Sequence, residues 1–320
     1  MKKFKKKYSE SEFVNYIAIL IVLVVLCALF AFSANGFMTV RNLSNILQQV
    51  TVVGILTVGQ TYVIIAKGID LSQGAVIGLS SIFMAKLMTE AGVPIWMAAI
   101  MILVQGIAIG VINGVLIAKT KVPAMIATLG TTNIFSAIAL LSCGGNNIYS
   151  LPGGLAEFAG TKIGGVIPAI AVVMIILAVI SHIVLSKTRF GRYVYAIGSN
   201  DQGARFSGIK VAKNTIMVYV ISGFMSAVAG LIMVCRLNSG VATAGDGYEM
   251  NSIAAVVIGG GSLYGGEGNV VGAMIGALIM SVLSNGLQLM GVSTYWQTLF
   301  VGIVLIVAVL IDNIRRKAEQ

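Results

Sequence analysis

The sequence predicts an all-α polytopic membrane protein, with about ten transmembrane helices in two inverted repeats and both termini cytoplasmic. Composition is the first reason. The chain is 58% hydrophobic, has a mean hydropathy of +0.97 and is only 10% charged, whereas a soluble domain carries about a quarter charged residues. So few charges cannot cover a water-facing surface, and most of the surface must face lipid. The second reason is a series of apolar runs of spanning length, and the third is a one-sided distribution of Lys and Arg across them.

Separated by polar residues, glycine or proline, the runs place spans at about 13–32, 46–66, 72–89, 95–118, 123–143, 166–186, 215–236, 251–264, 269–290 and 295–312. Crossing the hydrocarbon core takes ~20 apolar residues. The first run meets that length, whereas a signal-peptide core is about 7–15 residues. MKKFKKK is therefore read as part of a cytoplasmic tail over 1–12, with cleavage at the AFSA string (31–34) as the alternative. The membrane domain then covers 13–312, followed by a second cytoplasmic tail over 313–320. The eighth run is too short to cross as an ordinary helix, so it is tilted, broken or incomplete.

With the N-terminus inside, the inner segments hold Lys2, Lys3, Lys5, Lys6, Lys7, Lys67, Lys119, Lys121, the six bases of 187–214, Arg315, Arg316 and Lys317. That is 17 of 21 basic residues, leaving Arg41, Lys86, Lys162 and Arg236 outside or near the outer ends. Basic residues accumulate on the cytoplasmic side of membrane proteins, and an odd number of spans would strand one basic terminus. The same bias explains the net charge of +10 without a nucleic-acid partner. Cys27, Cys143 and Cys235 lie within or beside apolar runs at no metal-binding spacing, and His182 is the only histidine. No catalytic, cofactor or metal site is expected.

One segment breaks the apolar pattern: KTRFGRYVYAIGSNDQGARFSGIKVAKN, residues 187–214. It is the largest cytoplasmic loop. Asn200 and Asp201 are good N-cap residues for a short helix over DQGARFSGI, which Gly208 can end. Composition leaves two readings open, a platform that a partner grips and a solvated loop whose bases only set topology.

Two pairs of strings align at a distance of five spans. GIDLSQGAVIGLSS (68–81) pairs with GYEMNSIAAVVIGG (247–260), setting Asp70 opposite Glu249 and Ser72 opposite Asn251. INGVLIAKTKVPAMIATLG (112–130) pairs with SNGLQLMGVSTYWQTLFVG (284–302). Five is odd, so the repeats run through the membrane in opposite directions, a transporter feature. Each acid precedes a span and suits a helix N-terminus, as a structural cap or as a substrate contact. Gly106, Gly110 and Gly114, like Gly268, Gly272 and Gly276, recur every four residues. That spacing lets helices approach closely in lipid, for packing or for sliding.

GGGSLYGGEGN (259–269) lacks the GK[ST] ending of a phosphate loop, and no Walker A string occurs. If ATP drives this protein, another chain binds it. No acid is expected at the middle of a span, which argues against self-powered proton coupling. Neutral polar residues are plentiful there: Thr57, Gln60, Thr61, Gln105, Asn113, Thr131, Thr132, Asn133, Asn285 and Gln288. They form either a path for a hydroxyl-rich neutral solute or hydrogen bonds between helices.

Five strings in order resemble the permease subunits of ribose-type, simple-sugar ABC importers: KGIDLSQGAVIGL, VPAMIATLG, GRYVYAIGSNDQGARFSGI, GYEMNSIAAVVIGGGSLYGGEGNVVGAMIGAL and NGLQLMGVSTYWQ. The resemblance implies a homodimer in a prokaryotic cytoplasmic membrane, docked on an ATP-binding cassette ATPase that binds ATP and magnesium, and fed by an extracytoplasmic solute-binding protein. It assigns the ATPase-coupling helix to Asn200, Asp201, Gly203, Ala204, Arg205, Ser207 and Gly208. Four positions depart from the family pattern: Gly203 where a small Ala is usual, Lys67 where Gly is usual, Gln73 where a valine-like residue is usual, and Met125 where Phe is common.

The expected function is ATP-driven import of a neutral hydroxylated solute, a pentose or hexose such as ribose, by a subunit that hydrolyses nothing itself. Thr57, Gln60, Thr61, Gln105, Asn113, Asn133, Asn285 and Gln288 are the candidate pathway, and Glu157, Asp246 and Glu249 in the outer loops the candidate contacts for the binding protein. The alternatives are a stand-alone secondary transporter or facilitator, a non-transporting scaffold, or another cargo such as a nucleoside, signalling molecule or amino acid.

Overall fold

The computed structural model describes the backbone of residues 2–120 and 122–319 and the side chains of 16–120 and 122–314. Lys121 and the side chains of the terminal bases counted above lie outside the described residues. The chain runs α1 (Lys2–Ser33), α2 (Val40–Ile65), α3 (Gln73–Thr89), α4 (Ile95–Thr120), α5 (Ala124–Cys143), α6 (Leu155–Gly160), then a two-residue hairpin of β1 (Lys162–Ile163) and β2 (Ile167–Pro168). It continues with α7 (Ala169–Lys187), α8 (Arg189–Ser199), α9 (Asp201–Phe206), α10 (Val211–Leu237), α11 (Tyr248–Ile258), α12 (Val270–Leu289) and α13 (Thr294–Glu319).

Among the described residues, eight helices are long and apolar enough to cross a membrane: α1, α2, α4, α5, α7, α10, α12 and α13. The third and eighth runs correspond to shorter apolar helices, α3 with 17 residues and α11 with 11. The eighth run therefore needs correcting, from 251–264 to Tyr248–Ile258. Glycines 259–261 stop the helix, with Gly260 at φ +88°, a conformation that suits glycine.

α2 and α10 form the axis. In α2, 89% of the spanning window is buried although its mean hydropathy is only 1.3; in α13, α4 and α7 hydropathy is 2.2–2.7 and 0–28% is buried. The order inverts that of a soluble protein, because the outer helices dissolve in lipid and the polar ones must find partners inside. Thr51, Thr57 and Thr61 on α2, and Ser226 on α10, each donate to the carbonyl one turn earlier at 2.7–2.8 Å.

Glycines set the spacing. A Cβ on Gly106 would strike Gly223 O and Ala227 Cβ, one on Gly110 the carbonyl of Tyr219, and one on Gly114 the Ile216 Cα. This seam is where α4 lies backbone to backbone on α10. On α12, Gly272 and Gly276 meet the carbonyls of Gly259 and Ala255 in the same way. Asn285 of α12 pairs with Asn42 of α2 in a reciprocal amide bond, at 2.9 and 3.1 Å. Lys86, expected at a span end, donates to Ser142 O at 2.8 Å and pairs with Glu90 at 3.3 Å.

Candidate functional site

Three features converge on the axis. The first is the meeting of the two short helices. After α10 the chain does not continue outward; residues 240–245 fold back along α3. Gly240 lies beside Ala85, the Ala242 carbonyl abuts Gly78, and Gly245 abuts Gly74, while Val241 N donates to Ser81 Oγ at 3.0 Å. This course brings the first turn of α11 to the first turn of α3. Ser252 Oγ donates to Gln73 Oε1 at 2.7 Å, and Glu249 flanks Gly74.

A buried chain of polar groups spreads from that point. Asp70 accepts from Ser72 N at 2.9 Å, Ser72 Oγ at 2.6 Å and Ser222 Oγ at 2.6 Å. Asn113 donates to Ser72 Oγ and accepts from Thr131 Oγ1, both at 2.8 Å. Gln73 donates to Ser222 Oγ at 3.0 Å. With its amide oxygen towards Asp70 N and its nitrogen towards Asp70 O, Gln60 bonds both at 3.3 Å. Asp70 does precede a helix, as its sequence suggests, but it is only 2% exposed. It lies between α2 and α3, at the end of a helix as expected, but the break between the two folds into the protein interior.

The second feature is a cavity of about 560 Å³ between α2, α10, α11, α12 and α13. Gln49, Arg236, Asn251, Ser281, Ser284 and Gln288 supply polar groups, and Met280, Val301 and Leu305 are among its apolar walls. Gln49 Nε2 donates to Gln288 Oε1 at 3.4 Å.

The third feature lies at the other end of α2. α8 is capped by Thr188, whose Oγ1 accepts from Gly191 N, and it is seated on the bundle by small residues. A Cβ on Gly198 would collide with Ile65 O, the last residue of α2, and with Gly266 N. Gly266 N donates to Ile65 O at 2.8 Å, and Tyr195 Oη to Gly268 O at 2.7 Å. Phe190 stacks on Tyr62 with ring centroids 6.2 Å apart. The glycine-rich loop 259–269 is thus a joint that holds α8 against the end of α2. Gly265 and Gly266 adopt φ +82° and +80° to make it.

From this seat projects α9. Asn200 Oδ1 caps it by accepting from Gly203 N at 2.9 Å. Gly208, at φ +79°, closes it, with Ile209 N bonded to Ala204 O and Gly208 N to Arg205 O, the double bond of a left-handed helix stop. Ala204 is buried, Asp201 and Arg205 face each other at 3.6 Å, and Ser207 Oγ donates to Gly203 O. Phe206 is 91% exposed beside them.

Of the eight candidate pathway residues, Gln288 lines the cavity. Thr57, Gln60 and Thr61 are buried on α2, Asn113 and Asn285 are held in the polar contacts above, Gln105 is buried at both amide atoms without a partner, and Asn133 is exposed. Glu157 is exposed on α6, Asp246 lines the cavity and Glu249 stands at the α3–α11 meeting. Sequence reasoning passed over Ser281 and Ser284 as cavity residues. Their signal was present, since 281, 284 and 288 share one helical face.

Residues 42–309 match the family described as branched-chain amino acid transport system / permease component. The chain is 41% identical over 303 residues to the ribose import permease protein RbsC of Escherichia coli (strain K12), covering 92% of each chain. It is 42% identical to RbsC of Bacillus subtilis (strain 168), over 87% of this chain and 86% of that one. It is 40% identical to the fructose import permease protein FrcC of Rhizobium meliloti, over 93% and 85%. No solved structure matches significantly. This multi-pass helical chain belongs to the branched-chain amino acid transport system permease component family.

Proposed function

We propose that this chain is the membrane-spanning permease subunit of an ATP-driven importer that moves a simple sugar, of the ribose or fructose kind, delivered by an external binding protein. The relatives named for ribose and fructose import support the cargo class. The observation that carries the mechanism is the platform. α9 is closed at both ends, presents Phe206 and Arg205, and stands on α8, which the glycine joint ties to α2. A partner ATPase that binds ATP and magnesium can move the pore only through such a stiff contact, which couples two distant sites.

In this reading both termini, the α8–α9 platform and the glycine joint lie in the cytoplasm, in the inner membrane of a prokaryote. α3 and α11 are the two half-spans of an inverted repeat that meet within the bilayer, as broken helices do in transporters. With ten crossings and the N-terminus inside, the cavity in this reading lies on the outer side, where the binding protein releases its sugar, with Asp246 at that site and Glu157 on a neighbouring loop. A second copy completes the membrane unit, and nucleic acid has no role.

The burial of Asp70 favours a second reading, an ion-coupled transporter working alone. Its carboxylate, however, is occupied by Ser72 and Ser222 and lies outside the cavity lining, so its role is to tie α3 to α10. Uptake separates the two. Arg205→Glu combined with Gly208→Val is expected to abolish ATP-dependent sugar uptake in cells while membrane levels hold; normal uptake by that double variant would sink the importer reading.

A further inference from the structure

Buried polar atoms almost always find partners, so those that do not are informative where they share a space. Arg236 Nη1, Asn251 Oδ1 and Ser281 Oγ are all buried and without a hydrogen bond, and all three residues line the same cavity. Ser281 is the sharpest case. It is 2% exposed on a helix, yet its hydroxyl does not take the carbonyl one turn back, as Thr51, Thr57, Thr61 and Ser226 do.

The importer reading being granted, we infer that this cavity is a sugar subsite of the permease itself, in which Arg236, Asn251 and Ser281 read the hydroxyls of one neutral monosaccharide. The chemistry of the three groups matches that ligand. A guanidinium only donates, an amide oxygen only accepts, and a serine hydroxyl does either. A sugar hydroxyl also does both, so adjacent hydroxyls can accept from Arg236 and donate to Asn251 at once. Met280, Val301 and Leu305 offer the apolar wall that the C–H face of a sugar ring requires. About 560 Å³ falls within the range of small-molecule pockets and leaves room for water around one ring.

Charge selects a neutral ligand over a sugar acid. Asp246 lines the same space as Arg236, so a carboxylate entering it would gain one partner and face one repulsion. Affinity at such a site has to be modest, because cargo must leave as well as enter. The subsite therefore checks the sugar after the binding protein has released it.

The test uses the full chain in lipid nanodiscs and, in parallel, reconstituted with its ATPase and binding protein. Saturation-transfer NMR with D-ribose should give a saturable signal that D-ribonate does not displace preferentially. Ser281→Ala and Asn251→Leu should each weaken D-ribose binding by at least fivefold and raise the sugar concentration for half-maximal uptake. Unchanged binding and uptake in both variants, with ATP-driven uptake intact in the parent chain, would overturn the subsite and leave the importer standing. Preferential binding of D-ribonate would overturn the assignment to a neutral sugar. Absence of ATP-driven uptake by the reconstituted parent complex would remove the importer reading and this subsite with it.

Discussion

The two ends of α2 are built on opposite principles. Around Ile65 the protein is as close as backbones can come, with Gly198, Gly265, Gly266 and Gly268 interlocked and the Ile65 carbonyl bonded across the joint. Around Gln49, sixteen residues and about 24 Å away along the helix, lies an open space with buried polar atoms left unpaired. In the proposed function the first end carries force and the second receives the solute. A single helix connects them; between its ends Thr51, Thr57 and Thr61 bond their own helix, while Asn42 and Gln49 near the open end reach α12.

The largest effect comes from breaking the tight end. Gly198→Val drives two methyl groups into the Ile65 carbonyl and the Gly266 amide, which cannot give way without parting α8 from α2. Overpacking a well-filled interior costs about 1–3 kcal/mol, and a backbone collision lies at the top of that range. Thermal unfolding followed by size-exclusion chromatography should show a much reduced midpoint and lost uptake. Gly130→Ala is the control, since a Cβ there meets nothing within 4 Å; equal behaviour of the two variants would end the idea of a joint.

The Asn42–Asn285 pair gives a second, intermediate test beside the open end. Asn285→Leu strands the buried Asn42 amide, whose remaining bond is to Phe37 O, and such an orphan costs about 1–3 kcal/mol. Replacing both residues by Leu removes the orphan, so the double variant should be more stable than either single one. Additive losses in that cycle would mean that the two amides do not depend on one another.

What was legible in the sequence followed from how local its cause is. The caps of α9 were readable because Asn200 and Gly208 act on backbone groups a few residues away. Apolar runs gave the long helices, since lipid imposes length directly. The shortness of α11 was visible too, though its end was misplaced by the apolar residues beyond Ile258. The joint was invisible: glycines 259–269 could be recognised as not binding phosphate, but their partners Ile65 and Gly198 lie far off in sequence. Burial of Asp70 was hidden for the same reason, because Ser222 reaches it across 152 residues. The polar set on α2 was seen, yet nothing local says whether a threonine bonds its own helix or a solute.

The smallest effect is expected at Lys67, beside the joint. Its φ of +63° is left-handed, the conformation that costs a non-glycine residue roughly 1–2 kcal/mol. The resemblance to sugar permeases puts glycine at this position, and the backbone angle supplies the reason. Lys67→Gly should relieve that strain, while the added freedom of glycine in the unfolded chain returns about 0.5–1 kcal/mol of it. The difference is a net gain of about 0–1.5 kcal/mol. The side chain is exposed and carries one of the inner basic charges, so Lys67→Ala is the needed partner variant: it removes the charge and keeps the strain. A higher unfolding midpoint for Lys67→Gly alone would locate the effect in the backbone. Equal gains in both variants would locate it in the charge, and the tight end of α2 would then owe less to its backbone geometry than its glycines suggest.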